Sequence, residues 1–186
     1  MATKTIFTNR TDARNMITAL KAVKSDFCFI HLTPYSNLDS IKNSGAIYSF
    51  AQLQRRLIIP EYLSNEDSRN RDKYKNLQGY VRLAMTKYSA LFPAFHRRSK
   101  KIAMLYIKPE ILLERDFLVC PINAATSGAV AGSFADIKDR LDLATILNLS
   151  SYPSYYSGYF HRSQAEVLID GDIPYEFIKK IDIITK

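Results

Sequence analysis

The pattern of hydrophobic and polar positions predicts a chain of short strands with a few helices, most of them in the N-terminal half. Within residues 11–24, Met16, Ile17, Leu20 and Val23 recur at helical spacing, which predicts an amphipathic helix. Runs of β-branched and aromatic residues predict buried strands instead. They cover residues 27–33, 80–85, 102–107, 117–120, 161–169 and 181–185. Many short strands without an internal repeat indicate an α+β fold with a mixed or antiparallel sheet.

The first predicted strand runs directly into a predicted helix, and this junction carries polar side chains. Ser36 is predicted to cap the helix and Gly45 to end it. His31 and Thr33 therefore lie where a core strand ends and a helix begins. Such junctions commonly hold ligands, because backbone donors and side chains converge there. Taken alone, however, a buried histidine is more often a structural residue that is satisfied by a neighbouring carbonyl.

Shorter segments fill the intervals between the predicted strands. Residues 46–48 are predicted to form a short strand or turn, and residues 50–57 a helix that Pro60 stops. Helices are also predicted at 134–147 and 174–179, a single helical turn at 108–110 and a basic turn at 96–101. These elements would cover the sheet from outside.

Length and composition favour one compact domain with a core of its own. The 186 residues are 47% hydrophobic and 24% charged, which argues against disorder. Cys28 and Cys120 lack paired metal-ligand spacing, which argues against a zinc site and a secreted disulfide scaffold. The N-terminus has no apolar signal core and no stretch approaches a membrane span, so the expected location is the cytoplasm.

Positive charge is the main departure from an average composition. A net charge of +8 favours polyanionic partners. Residues 64–79 are dense in charged and amide side chains, and two interpretations stay open. They form either a solvated loop or exposed helix edge, or a polar arm over a ligand site, whose cations meet phosphates and whose tyrosine stacks on a base. The residues concerned are Arg69, Arg71, Lys73, Lys75 and Tyr74.

Glu166 is a second focal point, because it begins an apolar strand. A carboxylate there is costly unless it is paired or functional, although strand alternation would equally allow it to point to water. An aromatic loop at residues 150–160 precedes it and a loop of small residues lies at 123–128. The sequence contains no nucleophile elbow, phosphate-binding loop or HExxH motif.

Several of these segments together resemble the DarT family of DNA ADP-ribosyltransferase toxins. Residues 30–41 with Gly45 resemble the opening motif of that family, and Ser68-Arg69-Asn70-Arg71 resembles its arginine-bearing motif. Tyr80-Val81, residues 123–125 and residues 162–169 follow in the same order. The chain departs from the pattern at Arg82, where the family typically continues with a proline and aromatics, and the helix at 11–24 is an addition.

The resemblance implies an ADP-ribosyltransferase fold with two small mixed or antiparallel sheets and flanking helices. It implies one domain over 1–186, with an N-terminal helical extension at 1–25 and a polar arm at 49–79 over the site. It also implies NAD⁺ as the substrate, no metal, and transfer of ADP-ribose to a base in single-stranded DNA. Thymine is the expected base and guanine the second candidate. The protein would act as the toxin of a toxin–antitoxin or phage-defence system, with a macrodomain antitoxin as its partner.

The resemblance assigns roles to individual residues. Glu166 and Arg69 would be catalytic, because a carboxylate stabilises the positive charge that develops at the ribose and a guanidinium stabilises an anionic base. The expected cofactor-binding residues are His31, Thr33, Asn37 and Gly45. The expected nucleic-acid-binding residues are Arg71, Lys73, Tyr74, Tyr155, Tyr156, Tyr159 and Arg162. Two alternatives stay open: the same reaction on RNA or protein, and a non-catalytic nucleic-acid-binding module.

Overall fold

The fold is built on a six-stranded antiparallel sheet and a second sheet of two strands. The structure is a computed structural model that describes residues 10–63, 66–89, 91–98 and 101–185. The strands within these residues are β1 (Phe29–Pro34), β2 (Ala46–Ile47), β3 (Tyr80–Ala84), β4 (Lys101–Ile107), β5 (Phe117–Cys120), β6 (Glu166–Asp170), β7 (Ile173–Pro174) and β8 (Ile178–Thr185). The main sheet has the order β5-β6-β3-β1-β4-β8, and β2 pairs with β7.

Short helices flank these sheets. They are α1 (Arg10–Val23), α2 (Leu38–Ser44), α3 (Phe50–Arg55), α4 (Glu66–Tyr74), α5 (Leu91–Arg98), α6 (Phe134–Ile137) and α7 (Leu143–Leu147). Turns of 3₁₀ helix lie at 35–37, 109–113, 138–140, 162–164 and 175–177. The combination is the α+β arrangement that the hydrophobic pattern predicts.

Alternation along the strands gives the main sheet two different faces. One face bears the largest core cluster, in which Leu83, Leu105 and Val167 are fully buried. On the other face, Phe92 of α5 packs with Ile30 and Met104 near one edge. Cys120, Leu168 and Ala124 form a third cluster towards the opposite edge.

The second face also carries the charged side chains of the sheet centre. Residue 166 pairs with Ala84 and residue 168 with Arg82. Since alternate residues point to the same side of a strand, Glu166 and Arg82 share this face as diagonal neighbours. Arg82 and Glu166 therefore form a polar strip at the middle of this face, between the two apolar clusters.

Helix α1 packs on the apolar face and closes one side of the core. Met16 and Leu20, which share one side of the helix, are both 0% exposed. The carboxylate of Asp12 accepts hydrogen bonds from the backbone N–H groups of Phe134 and Ala135, each at 2.8 Å. Asp12 therefore satisfies backbone donors at the start of α6, which would otherwise lack partners.

The predicted strand-to-helix junction is present, with one change in its capping. Gly45 ends α2 in the left-handed conformation at φ 70°, which confirms its predicted role. The prediction that Ser36 caps the helix is wrong, because a 3₁₀ turn occupies residues 35–37 and Asn37 is the N-cap. The Ser36 hydroxyl instead donates to Glu61 at 2.6 Å.

Helix predictions in the C-terminal half are partly wrong. The predicted helix at 134–147 is interrupted because Ser133 and Asp142 each cap a separate short helix with their side chains. The predicted helix at 174–179 is largely strand, because β8 begins at Ile178 and pairs with β4. The predicted strand at 161–169 begins only at Glu166, after a 3₁₀ turn.

Two polar segments are helical. The predicted basic turn at 96–101 is replaced by the end of α5 and the start of β4, while residues 99 and 100 lie outside the described residues. Residues 66–74 of the polar arm form α4. Charge density alone does not distinguish an exposed helix from a loop.

Candidate active site

A cleft of about 600 Å³ opens beside the paired residues Ile30 of β1 and Ala84 of β3, and side chains from both faces of the main sheet contribute to it. Strands β1, β3 and β6, helix α4 and the loop at 123–126 all contribute to its wall. Its polar and charged lining includes His31, Thr33, Asn37, Arg69, Arg71, Asp72, Arg82, Asn123 and Glu166. The three residues His31, Arg69 and Glu166, which lie far apart in the sequence, therefore meet in one cleft.

Glu166 is the most deeply buried charged group of the cleft. Its position as the first residue of β6, between Ala84 on β3 and Cys120 on β5, leaves it only 4% exposed. The alternative in which strand alternation turns it towards bulk water is therefore wrong. Its Oε2 accepts a hydrogen bond from the Ala124 N–H at 2.9 Å.

The pKa of Glu166 is set by opposing effects. Burial raises the pKa of this carboxyl above its ordinary value. The guanidinium of Arg82, whose Nη1 lies 3.8 Å from Oε2, and the Ala124 N–H act in the other direction. The carboxylate of Asp72 raises the pKa further. A buried carboxylate in this field is suited to stabilise a positive charge that develops next to it.

His31 lies in the middle of β1, opposite Leu105 of β4. Its Nδ1 is 3.1 Å from the carbonyl oxygen of Arg82. Because a carbonyl only accepts, Nδ1 carries the proton, and Nε2 of the neutral ring is left as an acceptor. Burial lowers the pKa of His31, and the bond to the Arg82 carbonyl opposes that shift. Nδ1 of His31 is thus hydrogen-bonded within the protein, and the same side chain forms part of the cleft wall.

Thr33 and Asn37 form a fixed polar pair next to His31. The Asn37 side-chain amide donates to Thr33 Oγ1 and to the Glu61 carbonyl, both at 2.9 Å. The Glu61 N–H donates back to Asn37 Oδ1 at 3.0 Å. Asn37 is therefore held from two sides and presents a fixed geometry to the cleft. Gly45, the other predicted cofactor-binding residue, is not among the cleft-lining residues, although it adjoins them.

Helix α4 brings the predicted arginines to the cleft. The Arg69 guanidinium lies over the ring of Tyr62, with its Cζ 4.6 Å from the ring centroid. Asp72, three residues further along the helix, forms an ion pair with Arg82 of β3. Arg71 also lines the cleft, whereas Lys73 and Tyr74 are exposed and do not.

The C-terminal end of the arm is attached to the loop that holds Glu166. Lys75 Nζ donates to the carbonyl oxygens of Ala124 and Thr126, at 2.8 and 2.6 Å. The sequence suggests a phosphate contact for Lys75, but its ammonium is engaged within the protein. Since Ala124 also donates to Glu166, this attachment and the carboxylate share one loop.

The aromatic loop lies outside the cleft lining. Tyr155 and Tyr156 are 69% and 93% exposed, and Tyr155 packs edge-on against Tyr156 and Phe160. Tyr159 is also exposed, and Arg162 forms an ion pair with Asp142 at 3.1 Å. The predicted nucleic-acid-binding residues of this loop are therefore at the surface and not in the wall of the cleft.

The sequence does not predict the roles of Asp72, Arg82 and Ala124 in holding this site. Arg82 stands out in the sequence only as a departure from a family pattern. The available signal is the alternation of Tyr80, Arg82 and Ala84 along one strand, which puts the three on one face. What is missing is the register that places this face beside Glu166, because strand pairing is not encoded locally.

Neither a metal-ligand cluster nor a membrane-spanning helix is present in the part of the chain that the structure describes. No group of three or more His, Cys, Asp or Glu side chains there is arranged to hold a metal ion. In the same part of the chain, no helix has the length and apolar character of a membrane span.

The sequence matches one family of known proteins over most of its length. The model of a family described as "ssDNA thymidine ADP-ribosyltransferase, DarT" matches residues 30–186. A search of curated proteins gave no match.

Three solved structures illustrate the structural similarity. Thermus sp. 2.9 DarT in complex with ADP-ribosylated ssDNA superposes with a TM-score of 0.70 at 16% identity, over 87% of this chain and 83% of that one. The same protein in complex with NAD⁺ gives 0.61 at 17% identity, over 82% and 79%. Thermosipho africanus DarTG in complex with ADP-ribose gives 0.68 at 19% identity, over 83% of this chain and 43% of that one. The predicted ADP-ribosyltransferase fold is confirmed.

Proposed function

The chain belongs to the DarT family of ssDNA thymidine ADP-ribosyltransferases, and on that basis we propose that its cleft transfers ADP-ribose from NAD⁺ to a thymine base of single-stranded DNA. The single observation that carries the proposal is the convergence of His31, Arg69 and Glu166 on one cleft. These residues come from three separate elements, β1, α4 and β6. A shared function in one active site explains why all three line the same cleft.

The residues present fit NAD⁺ in size and in chemistry. The cleft volume of about 600 Å³ falls within the roughly 300–1,000 Å³ that small-molecule sites occupy. His31, Thr33 and Asn37 offer neutral hydrogen-bonding groups to ribose hydroxyls, and Arg98, which also lines the cleft, offers a cation to the pyrophosphate. Gly45 ends α2 just outside this set and supports the turn next to it.

Glu166 is the proposed catalytic carboxylate. When NAD⁺ loses nicotinamide, positive charge develops on the ribose carbon that the acceptor nitrogen attacks. The ionised Glu166 stabilises that charge and holds a ribose hydroxyl. Its burial keeps water from weakening the interaction.

Arg69 is the proposed second catalytic group. The base nitrogen must lose a proton before it attacks, and a guanidinium remains charged at any accessible pH. Arg69 therefore stabilises the anionic form of the base, and the proton that the nitrogen loses passes to solvent water. Its position on α4, at the cleft wall, leaves the exposed tyrosines of the 150–160 loop to contact neighbouring bases.

The proposal is tested by incubating the protein with NAD⁺ and single-stranded oligonucleotides that contain only thymine, or only guanine, as the modifiable base. We expect the mass of one ADP-ribose to be added to the thymine oligonucleotide. Glu166→Gln, which removes the charge and keeps the shape, should lower the rate by at least about 10²–10³-fold. The exposed Glu176→Gln is the matched control and should retain full rate.

The same assay separates the alternatives. Modification of guanine alone would overturn the choice of thymine but not the reaction. Preference for RNA of the same sequence, or for protein, would overturn single-stranded DNA as the acceptor. Salt-sensitive DNA binding with no consumption of NAD⁺ would indicate a non-catalytic binding module and overturn the enzymatic proposal.

We further propose that the activity is that of a cytoplasmic toxin whose partner is a macrodomain antitoxin. Support comes from the match to Thermosipho africanus DarTG, a structure in complex with ADP-ribose, of which 57% lies outside the matched part (100% minus the 43% covered). Expression should arrest growth of a bacterial host, and Glu166→Gln should abolish the arrest. A co-expressed macrodomain that removes ADP-ribose from DNA should restore growth, and failure to do so would overturn the partner proposal.

A further inference from the structure

We propose that Asp72 and Arg82 are positioning residues that tie helix α4 to Glu166, so that the helix carrying Arg69 and the carboxylate on β6 are held as one unit. The inference rests on the proposed catalytic role of Glu166.

The first support is the geometry of the Arg82 guanidinium. Its Nη2 forms an ion pair with Asp72 of α4, and its Nη1 lies 3.8 Å from Glu166 Oε2 of β6. The side chains of Arg82 and Asp72 are 22% and 23% exposed, so both charges are largely withdrawn from solvent. Two nitrogens of one planar group therefore face two carboxylates from different elements, an arrangement that a lysine side chain cannot reproduce.

The second support is the position of Asp72 on α4. Residues three apart lie on the same side of a helix, so Asp72 is a neighbour of Arg69. Asp72 is also a neighbour of Lys75, which follows the last residue of α4 and whose N–H still donates to the Arg71 carbonyl at 2.9 Å. Asp72 is held by Arg82, and Lys75 is held by the carbonyls of Ala124 and Thr126. The Ala124 N–H is in turn bonded to Glu166. The same side of α4 is thus linked to Glu166 by two independent routes.

The third support is the pattern of charge around Glu166. The groups that face it are Arg82 from β3, Asp72 from α4 and the Cys120 thiol from β5, with Lys75 beyond Asp72. Arg82 favours the ionised form of Glu166, whereas Asp72 opposes it. The two members of one ion pair therefore shift the pKa of Glu166 in opposite directions. Neutralising one member should move this pKa up, and neutralising the other should move it down.

The experiment measures kcat and KM for NAD⁺ in ADP-ribose transfer as functions of pH, for the unmodified protein, Arg82→Gln and Asp72→Asn. Activity requires the ionised Glu166, so it falls as pH decreases through the pKa of that group. We expect the midpoint of this fall to move up by roughly one pH unit in Arg82→Gln and to move down in Asp72→Asn. Both variants should also turn over more slowly with little change in KM for NAD⁺, because α4 is no longer tied to β6.

Three further variants sharpen the outcome. Arg82→Lys should keep the midpoint near that of the unmodified protein, since the charge remains, yet recover only part of the rate. Asp139→Asn and Arg140→Gln, which change the same residue types at exposed positions, should leave both quantities unchanged. If Arg82→Gln does not fold, the test rests on the midpoint of Asp72→Asn, which should move down, and on that of Arg82→Lys, which should stay in place.

Midpoints that stay fixed, or that move in the same direction in both variants, would overturn the inference. A merely structural role for the pair would lower the rate or stability without moving the midpoints apart. Glu166→Gln is assayed in parallel to separate this failure from failure of the proposed function. An active Glu166→Gln would overturn the catalytic role itself, whereas an inactive one with unshifted Arg82 and Asp72 variants would overturn the inference alone.

Discussion

At the scale of the single residue, His31 combines two roles that the sequence presents as alternatives. A histidine satisfied by a neighbouring carbonyl is the structural interpretation, and the bond from Nδ1 to the Arg82 carbonyl fits it. The same bond fixes the tautomer and leaves Nε2 as an acceptor in a ring that lines the cleft. The structural contact therefore prepares the side chain for the role in NAD⁺ binding proposed above.

The lowered pKa of His31 predicts how it affects stability. In the unfolded chain the group protonates near pH 6.5, whereas in the folded protein burial holds its pKa lower. The unfolded state therefore binds more protons between these two values, and the free energy of unfolding decreases as pH falls through this interval. Above about pH 6.5 the contribution of His31 no longer changes.

The measurement is urea-induced unfolding of the protein and of His31→Asn between about pH 5 and about pH 7.5. We expect the difference in free energy of unfolding between the unmodified protein and His31→Asn to decrease as the pH is lowered. Ser151→Ala, at an exposed position and without an ionisable side chain, is the control and should show no such pH dependence. An advantage of His31 that is constant with pH would contradict the prediction.

Gly45 gives a second prediction at this scale. A Cβ atom at this position would meet nothing within 4 Å, so steric clash with neighbours is not a factor. The backbone at φ 70° alone should make Gly45→Ala less stable by about 1 kcal/mol. Thermal unfolding measures this loss, and KM for NAD⁺ should be unchanged because Gly45 does not line the cleft. An increased KM would instead support direct participation in cofactor binding.

At the scale of the element, the strands were the most predictable part of the chain. Runs such as residues 102–107 are apolar and β-branched, and they form strands because both hydrophobic burial and propensity favour that state. The helix at residues 11–24 was equally clear, since its apolar residues recur with helical period. The predicted and observed bounds of these two elements differ by at most one residue at each end.

Short helices were less predictable because their ends depend on single caps and on distant contacts. Asp142 starts a new helix inside a stretch whose periodicity suggests one continuous helix. Residues 178–180 become strand because β4 offers a pairing edge. The catalytic candidates followed from motifs, but the Asp72–Arg82–Glu166 cluster depends on which strands pair and in what register, which the sequence does not state locally.

Helix α1 gives a prediction at the element scale. Asp12→Ala removes the acceptor of two backbone N–H groups at the start of α6. We expect the free energy of unfolding to decrease by about 1–2 kcal/mol, as for loss of a helix cap. Chemical denaturation measures this change. Asp26→Ala, at an exposed position, is the control, and an equal effect in both variants would contradict the capping role.

At the scale of the whole molecule, positive charge and exposed tyrosines predict two separable contributions to DNA binding. The net charge of +8 attracts the phosphate backbone, and this attraction weakens as salt is added. Tyr155 and Tyr156 present aromatic surface that stacks on bases, a contact that does not involve counterion release.

We expect Arg71→Gln to reduce the slope of log affinity against log salt by about 0.7, the value for one phosphate contact on a single strand. The double variant Tyr155→Ala with Tyr156→Ala should lose about 1–3 kcal/mol of binding free energy per stacked base, with the slope unchanged. Fluorescence anisotropy with an oligothymidine at several salt concentrations measures both. Lys138→Gln, on an exposed turn, is the charge control. An equal slope for Arg71→Gln and the unmodified protein would contradict the phosphate contact.

The packing of α1 also bears on where a functional fragment can be cut. The family match begins at residue 30, beyond the end of α1. Yet Met16 and Leu20 belong to the fully buried core, and each such side chain is worth roughly 1.5–3 kcal/mol of burial. The boundary of homology is therefore not the boundary of the folding unit. A clone that starts at the homology boundary would expose apolar surface and aggregate, whereas one that includes α1 would keep the core contacts of Met16 and Leu20.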